Sequence, residues 1–205
     1  LSGRGLISSR KKIQMIFQDP FGSLNPSQTV GFMLMRGLEL QGVDTIEAKD
    51  RAIELLQQVG LGEQAFKRKP RNFSGGQRQR IGIARALSMG PDVIVADECV
   101  SALDLSVQKQ VLLLLNDLQK TYQMAIIFIT HDLRVAAQVS DYITVMEKGK
   151  MVEFGTASDV FNQPKHEYTK RLLEAAPGRD WHPPRLSAEE AAEIAKSLEE
   201  SSLEQ

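Results

Sequence analysis

The sequence predicts an α/β fold: a parallel sheet with helices on both faces, interrupted by a helical insert. Three features carry the prediction. Short apolar runs of β-formers alternate with stretches whose apolar residues recur at helical spacing. Two of those runs, Val93–Ala96 and Ala125–Thr130 (apolar as far as Ile129), have the unbroken apolar character of strands buried in a parallel sheet. Finally, two helical stretches follow one another with no strand between them before "SGGQ".

In chain order, Ile13–Phe17 reads as a short strand stopped by Asp19-Pro20, and "FGSLNPS" after it as a loop of turn-forming residues. Val30–Leu40 and Ile46–Val59 have helical spacing, with the turn "QGVD" between them. Lys67–Asn72 reads as a basic loop, and a helix is predicted over Gln77–Ser88, closed by Gly90-Pro91. After the strand Val93–Ala96, residues Val107, Val111, Leu114, Leu115 and Leu118 form one helical face. A buried strand over Ala125–Thr130, a short helix over Leu133–Val139 and a strand over Tyr142–Met146 follow, and "KGKMVEFG" resembles a hairpin around Gly149. From Pro177 the composition turns Pro-rich, and Ser187 onward is an acidic, Ala-rich helix candidate, read as a solvated terminal helix or disorder.

Composition narrows the function. A chain of 205 residues with 42% apolar and 25% charged residues is that of an ordinary globular protein. Its net charge of -1 argues against a nucleic-acid footprint or a polybasic membrane surface. A single cysteine, Cys99, excludes an intrachain disulfide framework and a cysteine-rich metal site, and it fits a reducing compartment. No apolar run approaches the ~20 residues of a membrane-spanning helix. The chain begins at Leu1 without methionine, which hints at truncation.

The chemistry concentrates in four places. "VIVADE" sets Asp97 and Glu98 at the carboxyl end of a predicted strand, where open parallel sheets bind ligands. Adjacent strand residues face opposite ways, so one acid can hold Mg²⁺ and the other can orient and deprotonate a water. An ordinary N-cap acid and its neighbour would look the same. "FSGGQRQR" sets Ser74, Gly75, Gly76 and Gln77 at a helix start, which is either an anion site built on free N–H groups or simply a capped helix. His131 in "FITHDL" follows a predicted strand and so shares a sheet edge with Asp97 and Glu98. Gln18 ends the first strand and means nothing by itself.

Taken in order, "IFQDPFGSLNP", "FSGGQRQRIGIARAL", "VIVADE", "SALD" and "FITHD" resemble the Q-loop, signature, Walker B, D-loop and H-loop of the ABC transporter nucleotide-binding domain, a P-loop NTPase-like fold. The resemblance runs from Ile13 to about Gly155. "FQDPFGSLNP" with "PKHEYTKRLLEAAP" is similar to the subfamily that energises import of oligopeptides, dipeptides, nickel and glutathione.

The resemblance implies an ATPase with ATP and Mg²⁺ as cofactors. Gln18 would contact Mg²⁺ and the water, and Ser74, Gly75, Gly76 and Gln77 the γ-phosphate held by the opposite subunit. Asp97 would hold Mg²⁺, Glu98 would be the general base, Asp104 would act across the dimer at the nucleotide, and His131 would clamp the γ-phosphate. The implied partners are a second ATPase subunit, transmembrane permease subunits facing the loop from Asp19 to about Ser27, and indirectly an extracytoplasmic solute-binding protein. The implied location is peripheral, on the cytoplasmic face of the membrane.

Residues 1–155 would form a partial ATPase domain with its helical subdomain at about 28–90, residues 156–177 an importer-type extension, and residues 178–205 a linker and acidic tail.

The sequence departs from the family in two ways. Only twelve residues precede Ile13, and no Walker A glycine loop or adenine-stacking aromatic is among them, so the chain reads as the C-terminal portion of such a protein and as inactive alone. Cys99 stands where the family has proline or alanine and could loosen the Glu98 loop. Relatives with an iron–sulfur cluster in the extension are not matched by a chain with one cysteine. Two other readings compete: a non-catalytic docking or dimerisation module, and a soluble ABC-type ATPase unconnected with transport, which "FQDPFGSLNP" and the C-terminal motif disfavour.

Overall fold

A computed structural model describes residues 9–175, in two units that divide between Ile127 and Phe128. The linker and acidic tail expected from residue 178 lie outside the described residues. The architecture is α/β with a parallel sheet, as the apolar runs predict.

In the first unit, β1 (Ile13–Ile16) runs parallel to β2 (Val93–Asp97), in register from Ile13 opposite Val93 to Ile16 opposite Ala96. Strand β3 (Ala125–Ile129) flanks β2 on its other side, and the Ala125 N–H donates to the Asp92 carbonyl at 3.0 Å. Ile16, Ile94 and Ala96 are buried and anchor the sheet.

The expected burial of β3 is not found. Its residues alternate between exposed and half-buried, and Ile127 is 55% exposed. An apolar strand is buried only when something covers it, and β3 is the outermost strand of the described sheet.

Between β1 and β2 lies the helical insert. The expected loop after Gln18 contains one helical turn, α1 (Pro20–Ser23). Thr29 caps α2 (Val30–Leu40) and Asp44 caps α3 (Thr45–Gln58), each by accepting backbone N–H groups of the first turn. Gly42 and Gly60 take left-handed φ values of 95° and 70° just beyond the two helices, where a side chain would be strained. The expected basic loop, Lys67–Asn72, follows one 3₁₀ turn, Glu63–Lys67, and contains another, Pro70–Asn72, opened by a proline that presets φ.

The central helix α4 (Gly75–Leu87) begins two residues earlier than the apolar spacing predicts, because Ser74 is its cap. It packs on α1, α2, α3 and β1. After β2, α5 (Leu105–Tyr122) buries Val111, Leu112, Leu113, Leu115 and Leu118; Leu114 is half-buried.

The second unit contains α6 (Leu133–Val139), the antiparallel strands β4 (Tyr142–Glu147) and β5 (Lys150–Thr156), α7 (Ala157–Asn162) and α8 (Glu167–Ala175). The predicted hairpin forms with both turn residues left-handed, Lys148 at φ 51° and Gly149 at φ 77°. Ile143, Val145, Ala136 and Val160 form its core, against which Tyr168 and Leu172 of α8 pack. Glu153 on β5 accepts the N–H groups of Lys165 (2.8 Å) and His166 (3.0 Å), tying the entry of α8 to the hairpin.

Candidate functional site

Parallel register decides which residues meet beyond the sheet. The last β1–β2 pair is Ile16 with Ala96, so two steps further on Gln18 and Glu98 come level. Gln18 Nε2 donates to Glu98 Oε2 at 2.9 Å, across eighty residues of sequence. Asp97, the last residue of β2, continues the half-buried side of Val93 and Val95, while Glu98 turns away from the strand.

That turn is locally costly. Glu98 has φ 45°, a left-handed conformation that costs a non-glycine residue about 1–3 kcal/mol and persists where the surroundings hold it. Here the Glu98 carbonyl accepts from the Ser101 N–H (3.1 Å) and the Ser101 hydroxyl (2.9 Å), while Cys99 and Val100 between them are buried. Cys99 therefore pins the turn into the core. Burial pushes its thiol up to about 12, aided by the neighbouring Asp97 carboxylate and opposed by a backbone hydrogen bond, so it is a packed thiol and not a reactive thiolate.

A second cluster forms where α4 and α5 begin. Ser74 and Gln77 make a reciprocal capping box: the Gln77 N–H donates to Ser74 Oγ (3.3 Å), and the Ser74 N–H donates to Gln77 Oε1 (3.0 Å). No side chain among the described residues caps the N–H groups of Gly75 and Gly76.

The two glycines differ. A Cβ on Gly75 would meet nothing within 4 Å, whereas one on Gly76 would lie 2.5 Å from Val107 Cγ1 in the first turn of α5. Gly76 thus permits helix contact, and Gly75 leaves open space. Asp104 caps α5 by accepting the Val107 N–H at 3.0 Å, so it stands beside the SGGQ terminus.

Arginines of α4 serve carbonyls. Arg78 Nε donates to the Pro70 carbonyl (2.9 Å), Arg80 reaches the Val59 carbonyl (3.2 Å) and Gln110 Oε1 (2.8 Å), and Arg85 donates to the Ser23 carbonyl. Sequence reasoning missed these struts, and it missed Ser101 as well. Neither residue type in a signature-like run says which carbonyl it will meet.

His131 belongs to the second unit. It is exposed after β3 and precedes Asp132, which caps α6 through the Arg134 N–H at 2.9 Å. Hydrogen bonds and an ion pair from Arg134 outweigh burial and lower the Asp132 carboxyl.

The family model described as "ABC transporter" matches residues 2–101. The structure of a dimeric ATP-binding cassette, MJ0796, in a post-hydrolysis state bound to ADP and Pi is similar with a TM-score of 0.67 and 30% identity, covering 77% of this chain and 68% of that one. The chain belongs to the ABC transporter family.

Among curated ABC transporter relatives, the oligopeptide transport ATP-binding protein OppF of Lactococcus lactis is 49% identical over 178 residues, 86% of this chain and 56% of its own length. The OppF protein of Bacillus subtilis is 47% identical over 178 residues, with 86% and 58% covered. The chain thus spans little more than half the length of the curated relatives it matches.

Proposed function

We propose that this chain is part of the ATP-hydrolysing subunit of an ABC importer for peptides or similar small solutes. The observation that carries the reading is the Gln18–Glu98 hydrogen bond of 2.9 Å at the carboxyl ends of two parallel strands. It holds a carboxylate and an amide together where a nucleotide's phosphates would lie.

Glu98 then acts as general base: it orients the attacking water and accepts its proton. Gln18 steadies that carboxylate and links it to the loop from Asp19 to about Ser27, which faces a permease subunit. The open N–H groups of Gly75 and Gly76, with Ser74 and Gln77, receive the γ-phosphate carried by a second subunit, and the helix dipole favours that charge. Asp104 lies beside them and acts across the dimer, and His131 has the separate role of clamping a γ-phosphate.

The donors fit Mg²⁺. Asp97 and the Gln18 amide offer hard oxygen ligands, and no group of three or more acidic, His or Cys residues among the described residues forms an all-protein cage. Mg²⁺ would supply neutralisation of phosphate charge, held by Asp97 and Gln18.

By likeness to importer ATP-binding proteins, residues 1–155 are proposed as the ATPase portion with its helical subdomain at about 28–90, and residues 156–177 as the importer-type extension. No helix among the described residues is long and apolar enough to cross a membrane. By the same likeness, the subunit is proposed to sit on the cytoplasmic face of the membrane against its permease.

The 205 residues contain no glycine loop with a phosphate-binding lysine. The chain by itself accordingly binds ATP weakly and turns none over, since most donors to the β- and γ-phosphates are lacking. Titration calorimetry tests this. The longer protein that carries the chain should bind ATP saturably and hydrolyse it, and the 205-residue chain should do neither. Saturable micromolar ATP binding by the chain, or no binding by the longer protein, would refute the reading.

A further inference from the structure

We infer that Ser101 is a positioning residue that fixes which end of the Gln18 side-chain amide faces Glu98. This role builds on the proposed function only in the use made of Gln18; the positioning itself is a matter of hydrogen-bond accounting.

A hydroxyl has one hydrogen to donate. Ser101 gives it to the Glu98 carbonyl at 2.9 Å, which leaves its lone pairs for Gln18 Nε2 at 3.4 Å. Glu98, when ionised, only accepts, so the amide must present its NH₂ group to Glu98 Oε2, at 2.9 Å. Both hydrogens of Gln18 Nε2 are thereby directed, one to the carboxylate and one to the hydroxyl. Gln18 Oε1 is then the free end.

A glutamine amide held by a single contact rotates in a broad, roughly two-fold well, and two acceptors remove that freedom. The same hydroxyl also holds the left-handed Glu98 turn through its carbonyl, so one side chain sets both partners. Ser101 is exposed, which leaves room for substitution.

The test uses the 205-residue chain labelled with ¹⁵N-glutamine, and reads the Gln18 side-chain NH₂ resonances, identified by their loss in Gln18→Leu. In Ser101→Ala those two proton shifts should converge toward those of a free amide, and their exchange with water should quicken about fivefold, as loss of one ordinary hydrogen bond predicts. Ser101→Thr, which keeps the hydroxyl, should restore the parent signal. Backbone resonances outside 98–104 report whether the fold is intact, and Ser101→Gly replaces Ser101→Ala should the alanine chain not fold.

Unchanged Gln18 resonances in a folded Ala or Gly variant, or no rescue by threonine, would overturn the inference. In the longer protein, Ser101→Ala should also weaken the Mg²⁺ dependence of ATP hydrolysis. Altered Gln18 resonances with parental turnover and Mg²⁺ dependence would support the positioning while overturning the catalytic reading of Gln18.

Discussion

Replacing each signature glycine by alanine separates packing from helix propensity. Neither Gly75 nor Gly76 has a left-handed φ, so alanine is compatible with both backbones; at these first two helical positions it should gain at most the ~0.5–1 kcal/mol over glycine found in a helix interior. At Gly75 the added Cβ meets nothing within 4 Å, so no clash offsets that gain. At Gly76 it would lie 2.5 Å from Val107 Cγ1, about 1 Å inside ordinary contact. Val107 is β-branched and stiff at χ1, so it cannot swing clear, and over-packing of this kind costs about 1–3 kcal/mol.

The propensity gain is common to both variants. Their difference therefore isolates the contact: Gly76→Ala should be less stable than Gly75→Ala by about 1–3 kcal/mol. Urea denaturation followed by circular dichroism measures this, with an unchanged slope certifying that stability and not compactness has moved. Adding Val107→Ala should recover part of the loss in the Gly76 background and lower stability in the Gly75 background. Two glycine variants equal within about 0.3 kcal/mol would refute the packing account of Gly76.

Ser74→Arg in the longer protein should leave monomer ATP affinity nearly unchanged and abolish ATP-driven dimerisation and turnover, because bulk and charge would fill the approach to the Gly75 and Gly76 N–H groups. Its cap loss is worth only ~1 kcal/mol, so a turnover loss explained by melting alone would reduce Ser74 to a helix cap. Burial raises the Glu153 carboxyl, but the Lys165 and His166 N–H donors outweigh it and hold the carboxyl below its ordinary range. A depressed carboxyl adds stability above its unfolded value of about 4.3 and loses it as pH falls through the folded value. Protection factors at the Lys165 and His166 amides, taken relative to the intrinsic exchange rate at each pH, should therefore fall below that range, and Glu153→Gln should flatten the dependence; identical protection profiles for the two chains would contradict it.

Much of this was legible from short stretches. Asp97 and Glu98 at a strand end, and Ser74 opening a helix, follow from an apolar run meeting polar residues, a local signal. Gln18 was legible only through the family resemblance. What joins it to Glu98 is parallel register between strands eighty residues apart, and no single stretch encodes that. The exposure of β3 was illegible because an apolar run states a need for cover without stating that cover is present. Arg78, Arg80 and Arg85 had no role legible in the sequence, because the carbonyls they serve come from the 3₁₀ turn, the end of α3 and α1, which tertiary packing alone brings near. Ser101 opens the SALD motif, and nothing in that motif reveals its contact, which depends on the left-handed turn at Glu98.

The most direct test of the account is Glu98→Gln in the longer protein, with ATP binding and hydrolysis measured on the same preparation. Glutamine keeps the shape but cannot take the proton from water. Binding should persist, ATP-bound dimers should accumulate, and turnover should fall by about 10²–10⁴-fold, the usual loss on removing a positioned base. Hydrolysis at the parent rate, with binding intact, would contradict the assignment of Glu98 as the base and with it the proposed reaction centre.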